Sequence, residues 1–128
     1  MTASFSEPWL REYQERVNAD REMQVIGGWF SVAMSLACDE RRAIVRFEAG
    51  RVAEFTCAPR LDVPCAFGFR GTASIWARYL APVPPPLYHN VFAMLMRVPG
   101  FVLEGDTLAA LQHARALSRA MALLRTAS

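Results

Sequence analysis

Apolar positions first fall in a helical rhythm. Trp9, Leu10, Tyr13 and Val17 share one face of a segment whose other positions include Arg11, Glu12, Glu15 and Arg16. Ser6-Glu7-Pro8 starts it with a serine cap, a first-turn acid and an early proline, and Asn18-Ala19-Asp20 ends it. Met23 to Ile26 then leads into Gly27-Gly28. From Trp29 to Ala37 the period changes to two: Phe30, Val32, Met34 and Leu36 make one face, and Ser31, Ala33, Ser35 and Ala37 the other, the pattern of a half-buried strand. Asp39-Glu40-Arg41-Arg42 reads as a polar turn. Ala43 to Glu48 and Arg51 to Ala58 form a second and third strand about a tight turn at Ala49-Gly50. Pro64 to Arg70 is a fourth, with Cys65, Phe67 and Phe69 on one face.

After Gly71 the pattern is helical again. Thr72 or Ser74 caps a short helix carrying Ile75, Trp76, Tyr79 and Leu80, and Pro82 with Pro84-Pro85-Pro86 breaks it into a rigid elbow. The spacing predicts a further helix over Leu87 to Arg97 that is apolar nearly all round, leaving only His89, Asn90 and Arg97 polar. Such a helix is surrounded by protein or turns its second side to a cavity or a partner. Val98-Pro99-Gly100 stops it. Phe101-Val102-Leu103 then reads as a short strand, Gly105 as a sharp turn, and Asp106 as an acceptor for the free N–H groups of Leu108 and Ala109. The last helix runs from Thr107 to about Arg125, with Ala110, Ala114, Leu117, Met121 and Leu124 packed and Gln112, Arg115 and Arg119 outward.

In order and spacing these segments resemble the sterol carrier protein family, the type-two lipid-transfer domain. The resemblance rests on Val17-Asn18-Ala19-Asp20, the strand pair hinged at Glu48-Ala49-Gly50-Arg51-Val52, the run Ser74-Ile75-Trp76-Ala77-Arg78-Tyr79-Leu80, and the junction Phe101-Val102-Leu103-Glu104-Gly105-Asp106. It covers nearly the whole chain. The chain departs from the family at Ala81 to Pro86 and the longer apolar segment after it, where a glycine-containing turn and a short amphipathic helix are usual. The resemblance implies an α+β domain over residues 1–128: a five-stranded, mainly antiparallel sheet with helices on one side, enclosing an apolar tunnel for fatty acyl chains, acyl-CoA or sterols.

Composition narrows the alternatives. The chain is 53% hydrophobic, enough for a core with a surplus for a cavity lining or partner surface. No apolar run approaches the roughly 20 residues of a spanning helix, and the N-terminus has no basic region leading into a hydrophobic stretch. A cytoplasmic location is expected. The net charge of +2, all of whose 14 basic residues are evenly spread arginines, argues against nucleic acid. Cys38, Cys57 and Cys65 show no CxxC spacing and read as buried, reduced thiols that pack as small hydrophobes rather than redox or metal groups.

Catalytic candidates are few. His89 and His113 are the only histidines, with no clustered acids or thiols to make a metal site and no spaced nucleophile. Glu104 and Asp106 alternate across a strand end, and Asp106 already has a capping task. Gly27-Gly28 lacks the rest of a phosphate-loop pattern. The chain is therefore expected to be no enzyme and to need no cofactor. The expected lipid-binding lining is Phe30, Phe67, Trp76, Phe92, Met94, Leu95, Met96, Leu103, Leu117 and Met121, with Arg70 and His89 as polar groups at the cavity mouth. Methionines suit such a lining because their flexible, polarizable side chains fit an imprecise apolar guest. Arg115, Arg119 and Arg125, interleaved with apolar residues, suggest transient contact with an anionic membrane. Two rival readings stand beside this one: an interaction or accessory module of lipid or quinone metabolism that dimerises through residues 87–98, and, more weakly, an enzyme with His89 as base.

Overall fold

The computed structural model describes residues 5–57 and 65–125; Ala58 and Pro64, the expected ends of two strands, lie outside the described residues. Eleven elements follow in order: α1 (Glu7–Ala19), α2 (Arg21–Ile26), β1 (Ala33–Cys38), β2 (Arg41–Glu48), β3 (Arg51–Cys57), β4 (Phe67–Gly71), α3 (Ala73–Tyr79), α4 (Val91–Arg97), β5 (Val102–Gly105), α5 (Thr107–Gln112) and α6 (Ala114–Ala122). The five strands form one sheet in the order β3-β2-β1-β4-β5. β1–β2, β2–β3 and β4–β5 pair antiparallel, while β1 and β4 pair parallel, with Met34 opposite Phe67 and Leu36 opposite Phe69.

Alternation decides which face meets the helices. Met34 and Leu36 of β1, Val45 and Phe47 of β2, and Phe67 and Phe69 of β4 point the same way and are almost wholly buried. They meet Leu10, Tyr13 and Val17 of α1, Met23 of α2, Trp76 of α3, Met94 of α4, and Leu117 and Met121 of α6 in one core. Arg46, Glu54, Arg70 and Glu104 stand on the opposite face, where Arg46 pairs with Glu48 and Glu54, and Arg70 with Glu104 at 3.1 Å.

The expected helix caps are formed. Ser6 Oγ accepts from the Trp9 N–H, Thr72 Oγ1 from Ile75 N–H, and Asp106 Oδ1 from Ala109 N–H at 3.0 Å. Tyr13, 0% exposed, donates from its hydroxyl to the Ala120 carbonyl at 2.7 Å and so ties α1 to α6; burial pushes its phenol well above the ordinary range.

Four boundaries differ from expectation, each for a local reason. Asp20 both ends α1 and caps α2, its carboxylate accepting from Met23 N–H at 2.9 Å, so a second helix stands where only a lead into the glycines was expected. The first strand begins at Ala33 because Phe30 is held earlier, by a turn bond from its N–H to Gly27 O and by Gly50 N–H of the β2–β3 turn donating to its carbonyl; this leaves Trp29 91% exposed. The helix expected from Leu87 starts at Val91, because Leu87 adopts a left-handed φ of 78° and Asn90 supplies the cap, accepting from Phe92 N–H. The final helix is interrupted at His113 (φ −109°, ψ 24°), whose ring packs edge-on against Phe30 at 5.5 Å.

Candidate functional site

A cleft of about 540 Å³ opens where the β1–β2 turn meets α3. Phe5, Trp76, Ala77 and Leu80 give it apolar walls together with Cys38, and Asp39, Glu40 and Arg41 form a polar rim. The turn is fixed to the helix by Asp39, left-handed at φ 53°, whose carboxylate accepts from Ala73 N–H at 3.2 Å. Trp76 is anchored by its Nε1–H, which donates to Ala37 O at 2.8 Å in the middle of the sheet. Its ring then meets Phe5 at 5.2 Å, Phe101 at 5.5 Å and Tyr79 at 6.1 Å, edge-on in each case.

Phe5 roofs this aromatic group. Its ring lies 4.9 Å from Trp9 and is 6% exposed, although its backbone sits at φ 65°, a conformation costly for a residue with a Cβ. The chain therefore accepts backbone strain to seat one phenyl ring between α1 and α3. Burial first, and then the neighbouring Asp39 charge, raise the Cys38 thiol above its usual range, so at neutral pH it is a protonated, weakly polar wall.

The residues expected to line a lipid site separate into groups. Phe30, Phe67, Trp76, Met94, Leu117 and Met121 are at most 1% exposed and share the core between helices and sheet. Phe92, Leu95 and Leu103 pack against that core from its edge. Met96 lies outside it, 85% exposed, because the short α4 turns Val91 and Met94 inward and leaves Met96 on its outer side. Arg70 does not stand at the mouth. It follows Phe69 on the far face of the sheet and is paired with Glu104. His89 is exposed, and its contribution is a backbone carbonyl that accepts from Arg125 at 3.1 Å.

The expected membrane-facing arginines also divide. Arg119 binds Asp20 and Glu22, and Arg125 donates to the Tyr79 and Tyr88 carbonyls at 2.6 Å each while stacking on the Tyr79 ring, so only Arg115 faces outward. Trp76 is the one expected residue that touches the cleft; Phe5, Cys38 and Leu80 were not anticipated. The signal for Phe5 was an apolar residue immediately before a serine cap, the position from which a side chain folds back over the first turn.

Among the described residues no group of three or more His, Cys, Asp or Glu side chains is arranged to hold a metal ion, and no helix is long and apolar enough to cross a membrane.

A mixed sheet in this strand order, backed by helices on one face and closed by a C-terminal helix, is the sterol-carrier architecture. The chain has the fold of sterol carrier protein 2: superposed on a crystal structure of that protein it gives a TM-score of 0.79, with 15% identity over 98% of this chain and 100% of the other. A conserved hypothetical protein of Thermus thermophilus, for which a sterol carrier assignment has been suggested, gives 0.70, at 18% identity over 98% and 92% of the two chains. The ubiquinone synthesis protein UbiJ-SCP2 gives 0.55, at 8% identity over 90% of each. No protein-family model and no curated protein matches the sequence.

Proposed function

We propose that this protein binds, and transfers within the cell, an apolar ligand of the fatty acyl, acyl-CoA or sterol class, held between the helices and the inner face of the sheet and admitted beside Trp76. The observation that carries the reading is the cleft at Phe5 and Trp76, two members of the hydrophobic core, which has apolar walls and a polar rim in a sterol-carrier fold. Its volume lies in the range of small-molecule sites, about 300–1,000 Å³. Met23, Met34, Met94 and Met121, all 0% exposed, are distributed through the core beyond it, and their unbranched side chains can repack around a guest. Burying each methylene contributes roughly 0.8 kcal/mol, so about ten of them supply several kcal/mol with little polar precision. Phe30, Phe67, Phe92, Leu95, Leu103 and Leu117 complete the proposed lining, and the rim at Asp39 to Arg41 is left for a polar end.

The test is native mass spectrometry of freshly purified protein, with displacement of a fluorescent fatty acid in solution. Copurified lipid and saturable uptake are expected. Ala77→Trp, which fills the cleft from an exposed position, should abolish uptake and leave the melting temperature within a few degrees. A ligand-free protein that takes up no probe would end this reading.

A second reading is favoured by Val83, Leu87 and Met96, which stand 85%, 47% and 85% exposed around α4 and could seat a second copy or an enzyme. Sedimentation of Met96→Asp against the wild type decides it: a dimer that the substitution splits supports an accessory module, and a wild-type monomer removes the homodimer.

A further inference from the structure

We propose that the surface formed by the Gly27–Trp29 loop, the outer side of α2 and the outer side of α5 docks on an anionic lipid bilayer, with Trp29 as its anchor. Trp29 is 91% exposed, whereas the other two tryptophans, Trp9 and Trp76, are 5% and 1% exposed. A large amphipathic ring held almost entirely in water is costly unless something covers it. Val25 at 81%, Leu108 at 63% and Leu111 at 59% are exposed as well.

Contacts between α2 and α6 bring these side chains to one end of the molecule. Asp20 and Glu22 at the start of α2 bind Arg119 near the end of α6, while Phe30, just after α2, packs on His113 before the start of α6. α2 therefore runs alongside α6 in the opposite direction, and its end, with Val25 and Trp29, reaches the α5–α6 junction. Leu108 and Leu111 lie three residues apart on the outer side of α5. Gly50 approaches Gly27 so closely that a Cβ on Gly27 would stand 2.8 Å from its Cα, which places the β2–β3 turn beside the same loop.

Charge selects the occupant. Arg115 stands one turn before Arg119 on α6, Arg21 one turn before Val25 on α2, and Arg51 directly after Gly50. All three are exposed and make no ion pair among the described residues. The nearby acids are bonded elsewhere: Asp20 and Glu22 share Arg119, Glu48 shares Arg46 with Glu54, and Asp106 caps α5, which leaves these three arginines as the cations able to meet a headgroup. An exposed tryptophan and aliphatic side chains flanked by unpaired arginines match the layered chemistry of a bilayer surface, apolar just below anionic headgroups. The docking surface stands on these observations alone. Vesicle binding can fail while uptake in solution persists, and the reverse.

The experiment adds vesicles of phosphatidylcholine with phosphatidylglycerol to the full chain and follows tryptophan emission and cosedimentation, with brominated-acyl lipids as a depth-sensitive quencher. Binding, a blue shift and strong quenching are expected. Trp29→Phe should still sediment and lose most of the quenching, since Trp9 and Trp76 are buried and Trp76 meets bromine only when an acyl chain enters its cleft. Trp29→Asp should partition about tenfold more weakly, the loss that accompanies leaving one large apolar side chain uncovered. Arg21→Glu with Arg115→Glu should bind phosphatidylglycerol vesicles more weakly and leave pure phosphatidylcholine unaffected. No vesicle binding, undiminished quenching in Trp29→Phe, or undiminished binding by Trp29→Asp would each overturn the proposal. Because all these side chains are exposed, the variants should melt as the wild type does.

Discussion

Arg119 donates two hydrogen bonds to Asp20, Nε to one carboxylate oxygen at 3.0 Å and Nη2 to the other at 2.6 Å, across 99 positions of sequence. Asp20 is also the cap of α2, so one side chain joins the α1–α2 corner to the closing helix. Replacing Arg119 by Ala should lower stability by about 1–2 kcal/mol, the range of a charge-assisted pair on a partly exposed site. Urea titration measures it, and a double-mutant cycle with Asp20→Asn should show strong coupling.

The same pair sets an acid limit. The hydrogen bond from Arg119, helped by Met23 N–H, holds the Asp20 carboxyl below its usual range. A depressed carboxyl stabilises the fold above its unfolded pKa of about 4, and that contribution is lost as pH falls through the lower folded value. Melting temperature should therefore drop more steeply below about pH 4 in the wild type than in Asp20→Asn. Parallel curves would show that Asp20 does not carry the effect.

The edge strand β3 is closed by a side chain. Asn18 Oδ1 accepts from Val52 N–H at 2.8 Å, and its Nδ2 donates back to Val52 O at 3.3 Å, completing the pairing that a further strand would make. Gln14 also donates to that carbonyl, so Asn18→Ala orphans chiefly the N–H. The expected cost is about 1–2 kcal/mol. Asn18→Asp, which keeps the acceptor, should recover most of it; equal losses in both variants would mean that the contact with the strand N–H contributes little.

Gly68 and Gly105 are required by space. A Cβ on Gly68 would fall 1.7 Å from Ser35 Oγ, and one on Gly105, at φ 87°, would fall 2.7 Å from Ala66 O. Gly105→Ala should destabilise by more than about 2 kcal/mol, through the left-handed backbone and the clash together. Gly68→Ala should be partly rescued by Ser35→Gly, since Ser35 supplies its nearest neighbour. Thermal melts of the single and double variants test both.

Arg125 closes the chain end onto the proline elbow, bonding the carbonyls of Tyr79, Tyr88 and His89 and lying 4.2 Å over the Tyr79 ring. Lysine offers no planar fork, so Arg125→Lys should lose nearly as much stability as Arg125→Ala. Hydrogen exchange should then rise first in residues 80–90.

What could be read from the residues depends on the reach of each signal. Alternation along Met34, Leu36, Phe67 and Phe69 identified the inward face because a strand has only two. Ser6, Thr72 and Asp106 marked helix starts because a cap is a local event. Leu87 in a left-handed turn and His113 against Phe30 were hidden, since each is imposed by a neighbour far along the chain or by the proline elbow. The same holds at the cleft. Trp76 stands out by size and spacing, but only the tertiary fold brings Phe5 over it and Asp39 under Ala73. Arg70 is expected at a cavity mouth and Arg119 and Arg125 against a membrane because their partners Glu104, Asp20 and Tyr79 are all remote in sequence.

The parallel seam between β1 and β4 has a consequence for how the molecule assembles. β1, β2 and β3 are joined by short turns and can zip together as a local unit, whereas Met34 meets Phe67 only after a long loop has closed. β1, β2 and β3 can thus form before β4 joins them, as β5 must join β4 across a comparable span, and the seam closes along the apolar pairs Met34–Phe67 and Leu36–Phe69. Until that join is made, both halves carry bare edges able to recruit another molecule, so fast closure of this one seam protects the nascent protein from aggregation.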